Sequence, residues 1–97
     1  MLERQITDKI LAYLKALPGC YAFKEHGSGY SSGQPDIIGC YRGQCFLIEV
    51  KRPGGRPTRL QMKILAEWQG CGAHASVVYS VEEAKEFMKG LIENVQN

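Results

Sequence analysis

Three residues with chemistry to offer stand in one short stretch: Asp36 after Pro35, then Glu49 and Lys51 on either side of Val50. Between the two acids lie runs rich in strand formers, 36–41 and 44–51, flanking Arg42-Gly43, and a glycine between such runs signals a hairpin. With the turn centred on the bond between residues 42 and 43, Asp36 falls directly opposite Glu49. Opposed side chains sit with Cβ atoms roughly 4.5 to 5.5 Å apart, where like charges destabilise. Lys51, two residues beyond Glu49, shares their face. Paired carboxylates are hard oxygen donors of the kind Mg²⁺ takes together with water and substrate phosphate. An ion held there stabilises charge developing on a phosphate and acidifies a bound water, and a lysine beside it contacts the phosphate or positions the water. The plainer alternative is an ordinary Glu49–Lys51 ion pair at a strand end, with Asp36 merely following Pro35 in a turn.

The elements that must position these residues follow from periodicity. Leu2, Ile6, Ile10, Tyr13, Leu14 and Leu17 recur at helical spacing until Pro18-Gly19 stops them, so 2–17 reads as an amphipathic helix with Glu3 in its first turn. An acid there also suits the positive end of a helix with no further role. Residues 20–24 read as a strand by their Tyr and Phe content. After the hairpin, Thr58 and Gln61 fit a capping box opening a helix with Leu60, Ile64, Leu65 and Trp68 as its apolar stripe. Residues 75–79 form a short strand, reached by a right-handed crossover and parallel to the second arm of the hairpin. Ser80 and Glu83 suggest another capping box, opening a last helix with apolar residues at 81, 84, 87, 88, 91, 92 and 95. The order is αβββαβα, an α/β domain with a mixed sheet, expected to span residues 1–97 as one unit.

The segment 26–34, His-Gly-Ser-Gly-Tyr-Ser-Ser-Gly-Gln, cannot bury a core of its own. It is either a plain connection or a loop whose amides and hydroxyls, Ser28 among them, follow a phosphate backbone while Tyr30 stacks or wedges. His26 alone is weak as an acid–base group. Lys51, Arg52, Arg56 and Arg59 concentrate positive charge in a chain whose net charge is only +2, which marks a local basic patch suited to nucleic acid.

Ninety-seven residues with 44% hydrophobic content make one small globular core. No run approaches the roughly 18 apolar residues of a membrane span, and the start lacks signal-peptide order, so a cytoplasmic protein is expected. Cys40 and Cys45, with Cys71 and His74, offer a zinc-type spacing. Cys40 and Cys45 also stand cross-strand, where a disulfide is geometrically possible. In a reducing cytosol, small buried hydrophobes are the preferred reading of these cysteines and of Cys20.

Pro35-Asp36, twelve intervening residues, and Glu49-Val50-Lys51 on adjacent strands resemble the PD-(D/E)xK nuclease superfamily. The run Gly33-Gln34-Pro35-Asp36 and the downstream Gln61 make the chain similar to the virus-type replication and repair nuclease domain, VRR-NUC, over nearly its whole length. That resemblance implies a restriction-endonuclease-like fold, with Asp36, Glu49 and the Val50 carbonyl binding Mg²⁺ or Mn²⁺. It implies a catalytic Lys51, and it places Glu3 and Gln61 in the site, Glu3 as a further candidate ligand. It also implies a DNA substrate, for which Arg52, Arg56 and Arg59 of the basic patch and Tyr30 and Ser28 of the loop are the candidate contacts, and a role in replication, recombination or repair in a phage or prokaryote. Small stand-alone members resemble homodimeric Holliday-junction-resolving enzymes, and flap or non-specific cutting is the alternative. Arg56-Pro57-Thr58 departs from the family, where the proline often follows the capping residue. A non-catalytic DNA-binding module and a zinc-stabilised interaction domain are the readings from other classes.

Overall fold

A computed structural model describes residues 2–25 and 33–96. The elements are α1 (Glu3–Ala16), β1 (Cys20–Lys24), β2 (Ile37–Tyr41), β3 (Gln44–Val50), α2 (Arg59–Gly70), β4 (His74–Val78) and α3 (Val81–Gln96). The αβββαβα order is as expected. The strands form one sheet in the order β1-β2-β3-β4. β1–β2 and β2–β3 are antiparallel, and β3–β4, joined through the crossover helix α2, is parallel.

The hairpin register is the expected one: Tyr41 pairs with Gln44, Cys40 with Cys45 and Ile37 with Ile48. Arg42 and Gly43 both have positive φ, 44° and 86°, as a two-residue type I′ turn requires. That turn makes Tyr41 and Gln44 a hydrogen-bonded pair, and the alternation that follows fixes the character of every pair up to the carboxylate end. In mid-sheet, Gly39 lies opposite Phe46. A Cβ on it would come 2.7 Å from the Tyr21 carbonyl oxygen and 2.5 Å from the Phe46 ring, so only glycine fits.

One face of the sheet carries the core. Ala22, Ile37, Tyr41, Phe46, Ile48, Val50 and Val78 pack with Ile6, Ile10 and Leu14 of α1 and Ala84, Met88 and Leu91 of α3. Alternation sends Leu47 and Glu49 to the other face, the side of α2, which packs on β4. Leu47 and Leu65 are buried there, outside the main cluster. The β1–β2 half of this second face leaves Tyr21 74% and Phe23 44% exposed. The α3 stripe is spent on the core: Ala84, Met88 and Leu91 are buried, and Val81, Phe87 and Ile92 pack partly buried against them. Of that stripe only Val95 is exposed.

Both predicted capping boxes are present, with one change. Thr58 Oγ1 accepts from Gln61 N–H at 3.0 Å while Gln61 Oε1 accepts from Thr58 N–H at 2.8 Å. At α3, Ser80 Oγ accepts from Glu83 N–H at 3.1 Å, but the Glu83 carboxylate reaches back one residue further, to Tyr79 N–H. At α1, Gln5 Oε1 accepts from Leu2 N–H at 2.8 Å, and the leucine has no side-chain acceptor to return. No helix is long and apolar enough to cross a membrane among the described residues.

Candidate active site

The site forms where the hairpin ladder stops. Val50 is the residue that would pair with Pro35, and Pro35 has no N–H to give to the Val50 carbonyl. The Val50 N–H is taken by the Asp36 carboxylate, Oδ2 accepting at 2.7 Å, which fixes the acid just before β2 begins at Ile37. The polar groups of one strand residue point the same way, so the Val50 carbonyl faces this side too. Approach to Asp36 is set by α2. Gly33, at φ 88°, lies so close to Leu60 and Ile64 that a Cβ would meet them within 2.9 Å, and Gln34 Oε1 accepts from Trp68 Nε1 at 3.3 Å. Pro35 is fully buried behind them.

Glu49 follows as the register requires, opposite Asp36 on the α2 face, and it is only 1% exposed. Its Oε2 lies 3.5 Å from Lys51 Nζ, and its Oε1 is buried with no hydrogen-bond partner. Burial first, and the Asp36 charge second, push its pKa from 4.5 up to about 7, against the pull of Lys51. Asp36 is also raised, chiefly by burial and further by Glu3, with Val50 N–H, a side-chain hydrogen bond with Glu49 and Lys51 opposing. A lone ion pair at a strand end would not look like this: one lysine faces two acids, and one buried carboxylate oxygen is left over. An unpaired buried polar atom costs about 1–3 kcal/mol, and a hard cation is the partner that these oxygens fit. Asp36, Glu49 and the Val50 carbonyl would hold it.

The remaining expected site residues divide. Glu3, half-buried at the start of α1, is close enough to raise the Asp36 pKa, so the first helix does converge on the hairpin end. Gln61 has its side-chain oxygen committed to the α2 cap, which leaves only its Nε2 for another partner. Arg52, Arg56 and Arg59 are exposed on and just after the segment that follows Lys51. Ser28, Tyr30 and His26 lie outside the described residues. Among the described residues no three of His, Cys, Asp and Glu come together to hold a metal. This removes the zinc cluster of Cys40, Cys45, Cys71 and His74, and it limits the carboxylate site to two acids and backbone oxygen. Cys40, Cys45 and Cys71 are exposed, free thiols, not the small buried hydrophobes expected.

Two clefts border the segment that follows Lys51, and sequence reasoning found neither. One, of about 630 Å³, is lined by Leu2, Gln5, Arg52, Pro53 and Gly54. The other, about 640 Å³, is lined by Gly54, Gly55, Arg56, Pro57, Met62 and Tyr79. They share Gly54, so the Arg52–Pro57 segment separates two hollows beside Lys51. Gln5 and Tyr79 carry no sequence signal for such a place, since one reads as a helix-surface residue and the other as a strand end.

Compared by sequence, the chain matches no family model and no curated protein. Its fold has clear neighbours. A protein described as a VRR_NUC domain superposes with a TM-score of 0.75 at 25% identity, covering 90% of this chain and 94% of the other. The fold is that of a VRR-NUC domain. A second structure, a VRR_NUC domain protein, gives a TM-score of 0.76 at 15% identity over 96% of this chain and 89% of its own. Hjc of Archaeoglobus fulgidus, a Holliday junction resolvase, gives 0.62 at 24% identity over 79% and 67%. The restriction-endonuclease-like architecture inferred from Pro35-Asp36 and Glu49-Val50-Lys51 is thereby borne out.

Proposed function

We propose that this VRR-NUC domain is a divalent-metal-dependent DNA endonuclease, hydrolysing a phosphodiester at Asp36, Glu49 and Lys51. The observation that carries the reading is the Glu49 carboxylate, 1% exposed, with Oε1 unpartnered beside Asp36. Keeping a charge-prone acid buried against a second acid makes sense when a cation joins them. Mg²⁺ or Mn²⁺ bound there supplies charge stabilisation at the phosphate and a more acidic water.

The chain's own residues do the rest. Asp36 is oriented by Val50 N–H, so its other oxygen is available as a ligand. Glu49 gives up the proton favoured by its raised pKa when it becomes a ligand. Lys51, at 3.5 Å from Glu49, is held loosely enough to turn to a non-bridging phosphate oxygen. Glu3 adds negative field at the same end and is a candidate outer ligand. Arg52 and Arg56 would meet the DNA backbone along the two clefts, with Arg59, Ser28 and Tyr30 as further contacts.

A branched substrate, cut by a homodimer, is the finer form of the proposal. It is supported by the likeness to a protein described as a Holliday junction resolvase. Apolar surface for a partner is left on Tyr21 and Phe23 of β1 and on Leu60 and Met62 of α2. The test is a panel of linear, flap and four-way DNA with Mg²⁺, Mn²⁺ or chelator, together with light scattering at micromolar concentration. Metal-dependent, paired cuts in the four-way junction by a dimer are expected. Equal cutting of linear DNA would leave a non-specific nuclease, and binding without cleavage under every condition would overturn the enzymatic reading.

A further inference from the structure

We propose that Cys40 and Cys45 form a dithiol that is closed to an intrachain disulfide by glutathione disulfide. They are exact cross-strand partners, and both are exposed as free thiols. The type I′ turn at Arg42-Gly43 decides the geometry. Tyr41 and Gln44 are its hydrogen-bonded closing pair, so Cys40 and Cys45 occupy the next, non-hydrogen-bonded position, where Cα atoms are about 4.5 Å apart and side chains closest. Disulfides accept Cα separations of about 4.4–6.8 Å, so closure needs rotation about Cα–Cβ rather than strand movement.

Neither of the other cysteines has this arrangement. Cys20 is half-buried on β1, its thiol pushed up by burial, and its cross-strand partner is Tyr41. Cys71 is exposed at the end of α2, outside any strand. The pair lies at the turn end of the hairpin on the face that carries Glu49, four residues away along β3, so the link does not involve the carboxylates and stands whether or not the protein is a nuclease.

The chemistry closes in two exchanges. One cysteine thiolate attacks a sulfur of glutathione disulfide, giving a mixed disulfide and releasing one glutathione thiolate. The second cysteine thiolate then attacks the protein sulfur of that mixed disulfide, forming the Sγ–Sγ bond and expelling the second glutathione. Two protein thiols are oxidised, one glutathione disulfide is reduced to two thiols, and the protons pass to the departing thiolates.

The test equilibrates the full chain in glutathione buffers of rising disulfide fraction, quenches with an alkylating agent, and maps the cysteines by mass spectrometry. The expected wild-type product is a Cys40–Cys45 link within one chain, lighter by two hydrogen atoms, while Cys71 acquires only a glutathione adduct and at a higher disulfide fraction. In Cys45→Ser, Cys40 should stop at the glutathione adduct. The substitution is at an exposed position, and a thermal melt checks that the variant is folded. Glutathione adducts on both Cys40 and Cys45 of one wild-type chain, links between chains, or pairing of either with Cys20 or Cys71 would overturn the proposal. So would no reaction of the pair in glutathione disulfide alone.

Discussion

Without metal, Glu49 should make the protein steadily less stable as pH rises from 5 to 8. Its folded pKa is about 7 against an ordinary 4.5, so between those values the native state holds a proton that the unfolded chain has released. Native stability is therefore greatest below the unfolded value and is lost as pH climbs through the folded one. At about 1.4 kcal/mol for each pH unit of separation, the loss is roughly 3 kcal/mol by pH 8, an upper value because a strained carboxylate can turn toward water. In a domain of this size each kcal/mol moves the melting temperature by about 4–8 °C, so a fall on the order of 10–20 °C is expected. Glu49→Gln keeps the shape of the protonated acid and removes the titration. The measurement is a set of thermal melts of both proteins in chelator at half-unit pH steps. The difference between them cancels the titrating groups that do not touch Glu49, leaving Glu49 and its coupled neighbour Asp36, and it should grow with pH in favour of the variant. Saturating Mn²⁺ at pH 8 should restore the wild type, since a ligand at one hundred times its dissociation constant adds about 2.7 kcal/mol, and should leave Glu49→Gln unmoved. Parallel wild-type and variant curves in chelator would refute the buried, acid-paired state of Glu49 on which the metal argument rests.

Other outcomes follow from named contacts. Asp36→Asn keeps an oxygen for Val50 N–H while removing the repulsion, so in chelator it should be neutral or stabilising by thermal melt, yet lose most of the Mn²⁺-induced shift. Lys51→Ala should lower cleavage by orders of magnitude with metal binding largely intact by calorimetry, and normal cutting would remove Lys51 from the mechanism. Gln61→Ala should cost about 1 kcal/mol of stability through the lost cap; an activity loss no larger than that of Thr58→Ala, which breaks the same cap, would leave Gln61 a structural residue. Gly39→Val should destabilise by about 1–3 kcal/mol or more in denaturant melts, because its side chain meets the Tyr21 carbonyl oxygen as well as the buried Phe46 ring.

How much of this was legible beforehand is best judged at the carboxylates. Local rules sufficed for the hairpin: a turn centred on Arg42-Gly43, whether of two residues or four, with the period of a strand puts Asp36 opposite Glu49 and Lys51 beside them, and the observed register agrees. Helix ends were equally local, since Thr58, Gln61, Ser80 and Glu83 cap through neighbours three or four residues away. The αβββαβα order needed only those signals and the apolar periodicity.

What no local rule could decide is what lies on the far side of each face. The α3 stripe reads the same whether it meets its own core or a second molecule, and only packing against β-strand and α1 residues distant in sequence shows that the core takes nearly all of it. Burial of Glu49 is likewise a tertiary fact: alternation sets its face, but its 1% exposure and the unpartnered Oε1 depend on the packed fold around it. The same holds for Cys40 and Cys45, whose pairing the turn specifies while their exposure depends on α2 covering β4 and leaving β1 and β2 open. Sequence determined which side chains meet across the hairpin, because that distance is fixed by a few covalent bonds and one turn. Tertiary structure decided which of them are dry, since water is excluded only by elements that arrive from elsewhere in the chain.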